Sequence, residues 1–273
     1  VLVVLAGCGA KPSGITALRR QELLDQQPLS AWTELDAAHP GERLKDPRTG
    51  IVFRRIPAGE FVMGSSFITF AQPQHPVRIS KPFLLAETEL TLNQWRAFLA
   101  DTGVSALAEN WRGADALPAA IDHNGAALYC TLYGYQIPTE AQWEWACLGG
   151  LSPSDPCWES ADFLRQHAVY HLNAGDHARP VASLLANGYG LYDMLGNMWE
   201  WCADWYAPYG TESQVDPTGP AAPFGVPPIG SGRVLRGCSW FTAAPAPMPQ
   251  ARIWDERAST TSVVSFRPSR AID

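Results

Sequence analysis

"GLYDMLGNMWEWCADWY", residues 190–206, concentrates carboxylates, turn glycines, tryptophans and a cysteine in one short span. Trp199, Trp201 and Trp205 alternate as strand residues do, which predicts a strand sending all of them to one face, with core packing as their role. Gly196 allows the backbone between Asp193 and Glu200 to fold sharply, so that carboxylate and carbonyl oxygens can converge on a hard, oxygen-seeking cation. The same carboxylates would serve equally as turn caps or as acceptors of backbone N–H groups with no metal present.

Working outward, residues from about 187 onward read as strands and long loops, with "AAPFGVPPIGSG" (221–232) a proline-glycine connector. Toward the N-terminus, "PTEAQWEWACLGG" (138–150) announces a helix. Thr139 as N-cap and Gln142 three positions on make a capping box, Gly149 and Gly150 end the helix, and Trp143 with Ala146 and Cys147 forms its buried face. A second helix opens at Thr91, runs through "LNQWRAFLADTG" and stops at Gly103. "IVFRRIPAGEFVMGSS" (51–66) is two apolar runs joined by Pro-Ala-Gly, a predicted hairpin, and "HPVRISKPFLLAETELT" (75–91) holds a further strand. Residues 9–47 read as a tether and a small helical preface, with helix-length pieces on either side of Pro28.

The chain has 273 residues, 46% of them apolar and 17% charged, enough to bury one substantial core. Its 23 Gly, 23 Pro and 11 Trp favour irregular, turn-punctuated backbone pinned by aromatic rings over a helical bundle. A net charge of −7 without a cluster of Lys and Arg gives no electrostatic footprint for nucleic acid or acidic lipid. The apolar run Val1–Gly7 ends in Leu5-Ala6-Gly7-Cys8, which resembles a bacterial lipobox. Residues 1–8 are therefore expected to be part of a lipoprotein signal, with Cys8 lipidated, the domain periplasmic and anchored to the outer membrane, and the membrane touched only through that anchor.

Seven segments, in order, resemble the formylglycine-generating enzyme or sulfatase-modifying-factor family: "IPAGEFVMGS" (56–65), "HPVRISKPFLLAETELTLNQWRAFLADTG" (75–103), "IPTEAQWEWACLGG" (137–150), "NGYGLYDMLGNMWEWCADWY" (187–206), "DPTGP" (216–220), "RVLRGCSW" (233–240) and "SFR" (265–267). The resemblance implies an α+β, C-type-lectin-like fold with much irregular loop structure over residues 48–273. It also implies a structural calcium ion held by the side chains of Asp193 and Glu200 and the carbonyls of Gly196 and Met198. In the oxidases of the family, two cysteines shortly after the strand ending in Trp240 bind copper, because copper(I) needs soft thiolates. Here "FTAAPAPMPQARIWDERASTT" follows, without a cysteine; Thr242 and Pro247 stand in the two positions, so copper is not expected.

Family geometry suggests a Cys202–Cys238 disulfide, with two independent buried thiols as the alternative, and a Cys147–Cys157 disulfide could close the intervening loop. His167, His171 and His177 read as loop histidines. Arg252, Trp254, Asp255, Glu256 and Arg257 fall where the lectin-like fold presents variable loops, and could form a ligand or partner surface; the alternative is a salt-bridged surface loop. Arg267 reads as structural. The expectation is a non-oxidase binding or regulatory module of a bacterial envelope system, with an envelope protein or small molecule as partner. The alternative is a periplasmic oxidase similar to the family's pyoverdine-maturation branch. A retroelement-diversified display lectin is disfavoured by Met248, Gln250, Trp254 and Glu256.

Overall fold

The computed structural model describes residues 28–36, 39, 42–104, 113–225, 232–243, 247–256 and 262–272. β1 (Thr33–Glu34) and β2 (Arg43–Lys45) lead into β3 (Val52–Ile56), β4 (Gly59–Met63), β5 (His75–Ile79) and β6 (Phe83–Ala86). The helices α1 (Leu92–Thr102), α2 (His123–Tyr133), α3 (Glu140–Leu148) and α4 (Ala161–His167) follow. Then come β7 (Ala168–Val169), β8 (Leu195–Gly196), β9 (Trp199–Trp205), β10 (Gln214–Val215), β11 (Arg233–Arg236), β12 (Arg252–Asp255), β13 (Val264–Ser265) and β14 (Ser269–Ala271). They assemble into an antiparallel sheet β1-β2-β3-β6-β14, a sheet β12-β11-β9-β13, a sheet β10-β5-β4 and the pair β7-β8. This is a mixed α+β architecture of short sheets joined by long loops. Among the described residues, no helix is long and apolar enough to cross a membrane.

The capping signals act as read. Thr91 Oγ1 accepts from Gln94 N–H at 3.3 Å while the Gln94 side chain accepts from Thr91 N–H at 3.0 Å; Thr139 and Gln142 repeat the exchange at 3.2 and 3.0 Å. Gly103 and Gly149 end the two helices in the left-handed conformation, at φ 67° and 59°. α2 is capped too, by Asp122 Oδ1 accepting from Gly125 N–H at 2.6 Å and by Gly134, left-handed at φ 73°, but its sequence shows no helical period. His123, Ala126, Tyr129, Cys130, Leu132 and Tyr133 are all buried, so burial on most sides erases the polar face that would reveal a helical period.

Two expectations are overturned. β3 and β4 do not form a hairpin: β3 pairs with β2 and β6, and β4 pairs with β5. The chain changes sheets at Pro57, and the two faces of β3 serve two different cores through Phe53 and Ile56. Nor does a helix follow Pro28. A single 3-10 turn at Leu29–Ala31 precedes β1, and Trp32 packs on Phe53 and Tyr135 with ring centroids 5.1 and 6.3 Å apart. One buried aromatic outweighs a weak helical period there. Sheet structure therefore starts at residue 33, within the segment 9–47 read as a tether and helical preface. Residues 1–27, including Cys8, lie outside the described residues.

The two cores flank the central strands. Trp95, Phe98, Tyr129, Tyr133 and Phe266 dominate one; Phe83, Trp143, Cys147, Met194 and Cys202 belong to the other. β9 runs between them. Trp201 faces the first core and Cys202 the second, both fully buried, while Trp199 and Trp205 are half-buried. Large aromatic side chains of this kind contribute roughly 1.5–3 kcal/mol each on full burial, which compensates for the short strands.

Candidate functional site

α3 carries Glu140 and Glu144 one turn apart, both buried, against two arginines of the neighbouring sheet. Arg252 of β12 holds Glu140 with Nε to Oε1 at 2.7 Å and Nη2 to Oε2 at 2.8 Å. Its Nη1 donates to the carbonyls of Phe70 and Ala207, both at 3.0 Å, and its guanidinium lies 4.4 and 4.0 Å from the ring centroids of Tyr206 and Tyr209. Arg236 of β11 pairs with Glu144, whose other oxygen accepts from Gly64 N–H at 3.0 Å. Burial pushes both glutamates up. At Glu140 the charges of Arg252 and Arg236 prevail and hold the carboxyl below its ordinary range, whereas Glu144 stays above it.

A cavity of about 520 Å³ lies beside the N-terminal end of α3, bordered by His75, Glu140, Asp204, Trp205, Tyr209 and Arg252 among others. Asp204 is only 4% exposed and accepts from Glu140 N–H through Oδ2 at 2.8 Å. Burial, and next the charge of Glu140, push its carboxyl up to about 7. His75 is moved the other way by burial, toward the neutral ring.

Downstream of β11 the chain turns through Gly237 and Cys238, both left-handed at φ 94° and 68°. A Cβ at Gly237 would sit 3.1 Å from the Trp143 ring, so glycine is needed there. Ser239 and Thr242 close a turn: Ser239 N–H donates to Thr242 Oγ1 and Thr242 N–H to Ser239 O, each at 2.9 Å. Thr242 O accepts from His171 N–H at 3.2 Å, and Pro247 is buried. The two positions that would carry copper thiolates thus hold a hydroxyl in a turn and an imino acid.

Of the four residues read as a calcium cradle, Asp193 and Glu200 already hold protein hydrogen bonds on their carboxylates. Glu200 is fully buried, with Arg267 donating to both its oxygens at 2.7 Å and Trp143 Nε1 to Oε2 at 2.8 Å. Arg267 thereby supplies the positive charge beside Glu200, in accord with its reading as a structural arginine. Asp193 accepts from Ala182 N–H at 2.7 Å, and Met198 N–H donates to Glu89 Oε1 at 3.0 Å. Gly196 has its own steric reason: at φ 84°, a Cβ would fall 1.9 Å from Val169 O in the β7–β8 pair. With one arginine among Glu89, Asp193 and Glu200, burial pushes Glu89 well up and Asp193 up to about 6. Among the described residues, no three His, Cys, Asp or Glu side chains are grouped so as to hold a metal ion.

Both expected disulfides give way to free thiols. β11 pairs Arg236 with Glu200 and Leu235 with Trp201 in antiparallel register, so Cys238 continues toward Met198 and away from Cys202. Cys147 points into the core, its Sγ 3.6 Å from Met194 O, while Cys157 sits half-buried on the 3-10 turn Pro156–Glu159. The expected partner surface is not one open patch. Arg252 is buried in its pair with Glu140, and Trp254 is half-buried on Tyr206 and Phe70, with centroids 4.3 and 5.7 Å away. Asp255 is half-buried, Glu256 is exposed, and Arg257 lies outside the described residues. His171 and His177 are exposed, as loop histidines are, and His167 ends α4.

Short sheets woven through long loops around a lattice of buried arginine–glutamate pairs define a C-type-lectin-like domain of the formylglycine-generating type. Residues 39–272 match the sulfatase-modifying factor enzyme 1-like domain, and the chain belongs to that family. It is 30% identical to the formylglycine-generating enzyme of Streptomyces coelicolor over 272 residues, spanning 75% of this chain and 83% of that protein. Among solved structures it is similar to Treponema denticola variable protein 1, at 26% identity and TM-score 0.68, over 81% of this chain and 95% of that one. PvdO from Pseudomonas aeruginosa shares the fold at 23% identity and TM-score 0.71, over 86% of this chain and 99% of that one.

Glu140, Glu144, Asp204 and Arg236 were not legible as a group. The one available signal is the pair of acids four apart in "EAQWEWACL", an otherwise apolar helix. Such acids are buried only when cations meet them, and those cations come from strands about a hundred residues downstream.

Proposed function

We propose that this domain binds a partner or small ligand and does not oxidise cysteine through paired copper thiolates. It acts as a regulatory or accessory module of an envelope system, exported and held at the outer membrane through lipidated Cys8. The observation that carries this reading is the replacement of both thiolate positions after Trp240 by Thr242 and Pro247. Cys238, just upstream of Trp240, is a single buried thiol where the pair of thiolates would be needed, and burial pushes it up to about 12. Cys130, Cys147 and Cys202 are buried and their thiols are likewise raised. The scaffold is braced by its lattice of buried arginine–glutamate pairs, which favours a role that uses the fold as a rigid support.

The test is incubation of the purified chain with copper(I), air and a peptide bearing a sulfatase-type cysteine, beside the Streptomyces coelicolor enzyme as a positive control. No aldehyde in the peptide and no oxygen uptake above background are expected; conversion of the cysteine would overturn the reading in favour of an oxidase. Palmitate labelling of the protein in a bacterial host, abolished by Cys8→Ser, checks the anchor.

A further inference from the structure

The buried charges around α3 do not balance. Glu140 is matched by Arg252 and Glu144 by Arg236, which leaves Asp204 as the odd charge. Asp204 Oδ2 takes the Glu140 N–H, and the carboxyl also accepts from its own backbone N–H; among the described residues it has no ion pair, although it borders the cavity. Gly219, left-handed at φ 69°, packs against it: a Cβ there would lie 3.0 Å from Oδ1, so glycine keeps the space beside this oxygen clear. The remaining walls include Trp205, Pro217 and Pro220, and Val215, 59% exposed, stands where the cavity meets solvent. Such a site combines a buried carboxyl that has no cation of its own with walls suited to hydrocarbon.

We propose that this cavity binds a ligand bearing an alkylammonium group, with Asp204 Oδ1 accepting its N–H and Trp205 and the prolines surrounding its hydrocarbon. With Asp204 ionised, Glu140, Glu144 and Asp204 against Arg236 and Arg252 carry one net negative charge, which an ammonium neutralises in a site of low dielectric. An anion would meet Asp204 and Glu140, and a neutral ligand would leave the charge uncompensated. The titratable or charged groups near Asp204 are Glu140 on α3, Arg252 on β12, Arg236 on β11, His75 on β5, Cys202 on β9 and Tyr209; Arg233 of β11 lies over the flanking Trp205, 3.8 Å from its ring centroid, and donates to Ala203 O. Burial moves His75 toward the neutral ring and pushes Cys202 and Tyr209 well up, so Asp204 is the group that changes charge near neutrality. The proposal does not depend on the missing thiolates: either reading can fail without the other.

The full chain is titrated with n-butylammonium and with Nα-acetyl-lysine amide, as free and peptide-like sources of the group, and with n-butanol as the neutral counterpart. Binding is read by calorimetry or ligand-observed NMR. At least one ammonium binds at pH 8 and roughly tenfold more weakly at pH 6, because the ionised share of a carboxyl titrating near 7 falls about that much. Butylammonium alone would assign the site to free amines; binding of the lysine amide as well extends it to lysine side chains. Asp204→Asn abolishes ammonium binding. So does Val215→Trp, a change at an exposed position that covers the cavity mouth and decides the matter if Asp204→Asn fails to fold. No ammonium binding at pH 8, equal binding of butanol, or binding that survives Val215→Trp in a folded protein would overturn the proposal.

Discussion

Asp204 and Glu140 lie beside each other under one cavity, yet burial leaves them in opposite states. Glu140 has two cations within reach and stays ionised; Asp204 has a backbone N–H and no cation of its own. The consequence for stability has a definite sign. Asp204 rises from an ordinary 3.8 to about 7 in the folded chain, so its contribution is full below about pH 4 and is lost as pH climbs through about 7. Asp204→Asn keeps an acceptor for the Glu140 N–H and carries no charge. It is expected to stabilise the protein at pH 8 by up to about 4 kcal/mol and to change little at pH 4. Urea midpoints at the two pH values check this, and an equal shift at both would contradict it. Gly196 teaches a related lesson. Its presence in the sequence was legible, but not its reason: steric exclusion by Val169 O accounts for it as fully as a cation would.

At the level of elements, α3 is held at both ends by side chains of different origin. Its start is closed locally by Thr139 and Gln142, and could be read in advance because four consecutive residues contain the whole device. Its end is closed from afar by Asn187. The amide Nδ2 donates to Ala146 O at 2.8 Å and Cys147 O at 3.2 Å, while Oδ1 accepts from the N–H groups of Tyr189 and Leu191 at 3.0 and 3.1 Å. One side chain thus satisfies the last carbonyls of the helix and shapes the turn that leads to β8. Asn187→Ala is expected to cost about 1–3 kcal/mol, seen as a lower urea midpoint with unchanged slope. Asn187→Asp should cost at least as much, since it sets a negative charge against the helix C-terminus. α2 and the exchange of sheets between β3 and β4 escaped the sequence for different reasons: the outer face of one carries Ala127 and Leu128 between Asn124 and Thr131, so its polarity is weak, and the other depends on which strands arrive later in the chain.

Across the whole molecule, the chain before residue 48 behaves as part of the fold. β1 and β2 cover the edge of β3, Trp32 fills the space against Phe53, and Arg43 donates to Glu87 at 2.6 and 3.1 Å. A protein starting at residue 48 should be about 3–5 kcal/mol less stable than one starting at residue 28, and prone to associate through the bared β3 edge. Denaturation midpoints and light scattering of the two proteins test this; equal midpoints would show the segment to be dispensable. Sequence alone determined the family, the caps of α1 and α3, the strand at 199–205 and the absence of thiols after Trp240, because each is carried by a few neighbouring residues. Tertiary structure decided which carboxylates meet arginines, that Cys202 and Cys238 run past each other, that Arg252 is core, and that Asp204 stands unmatched beside a cavity. Those outcomes depend on strand register and on charges brought together across about a hundred residues of chain, and no local pattern encodes them.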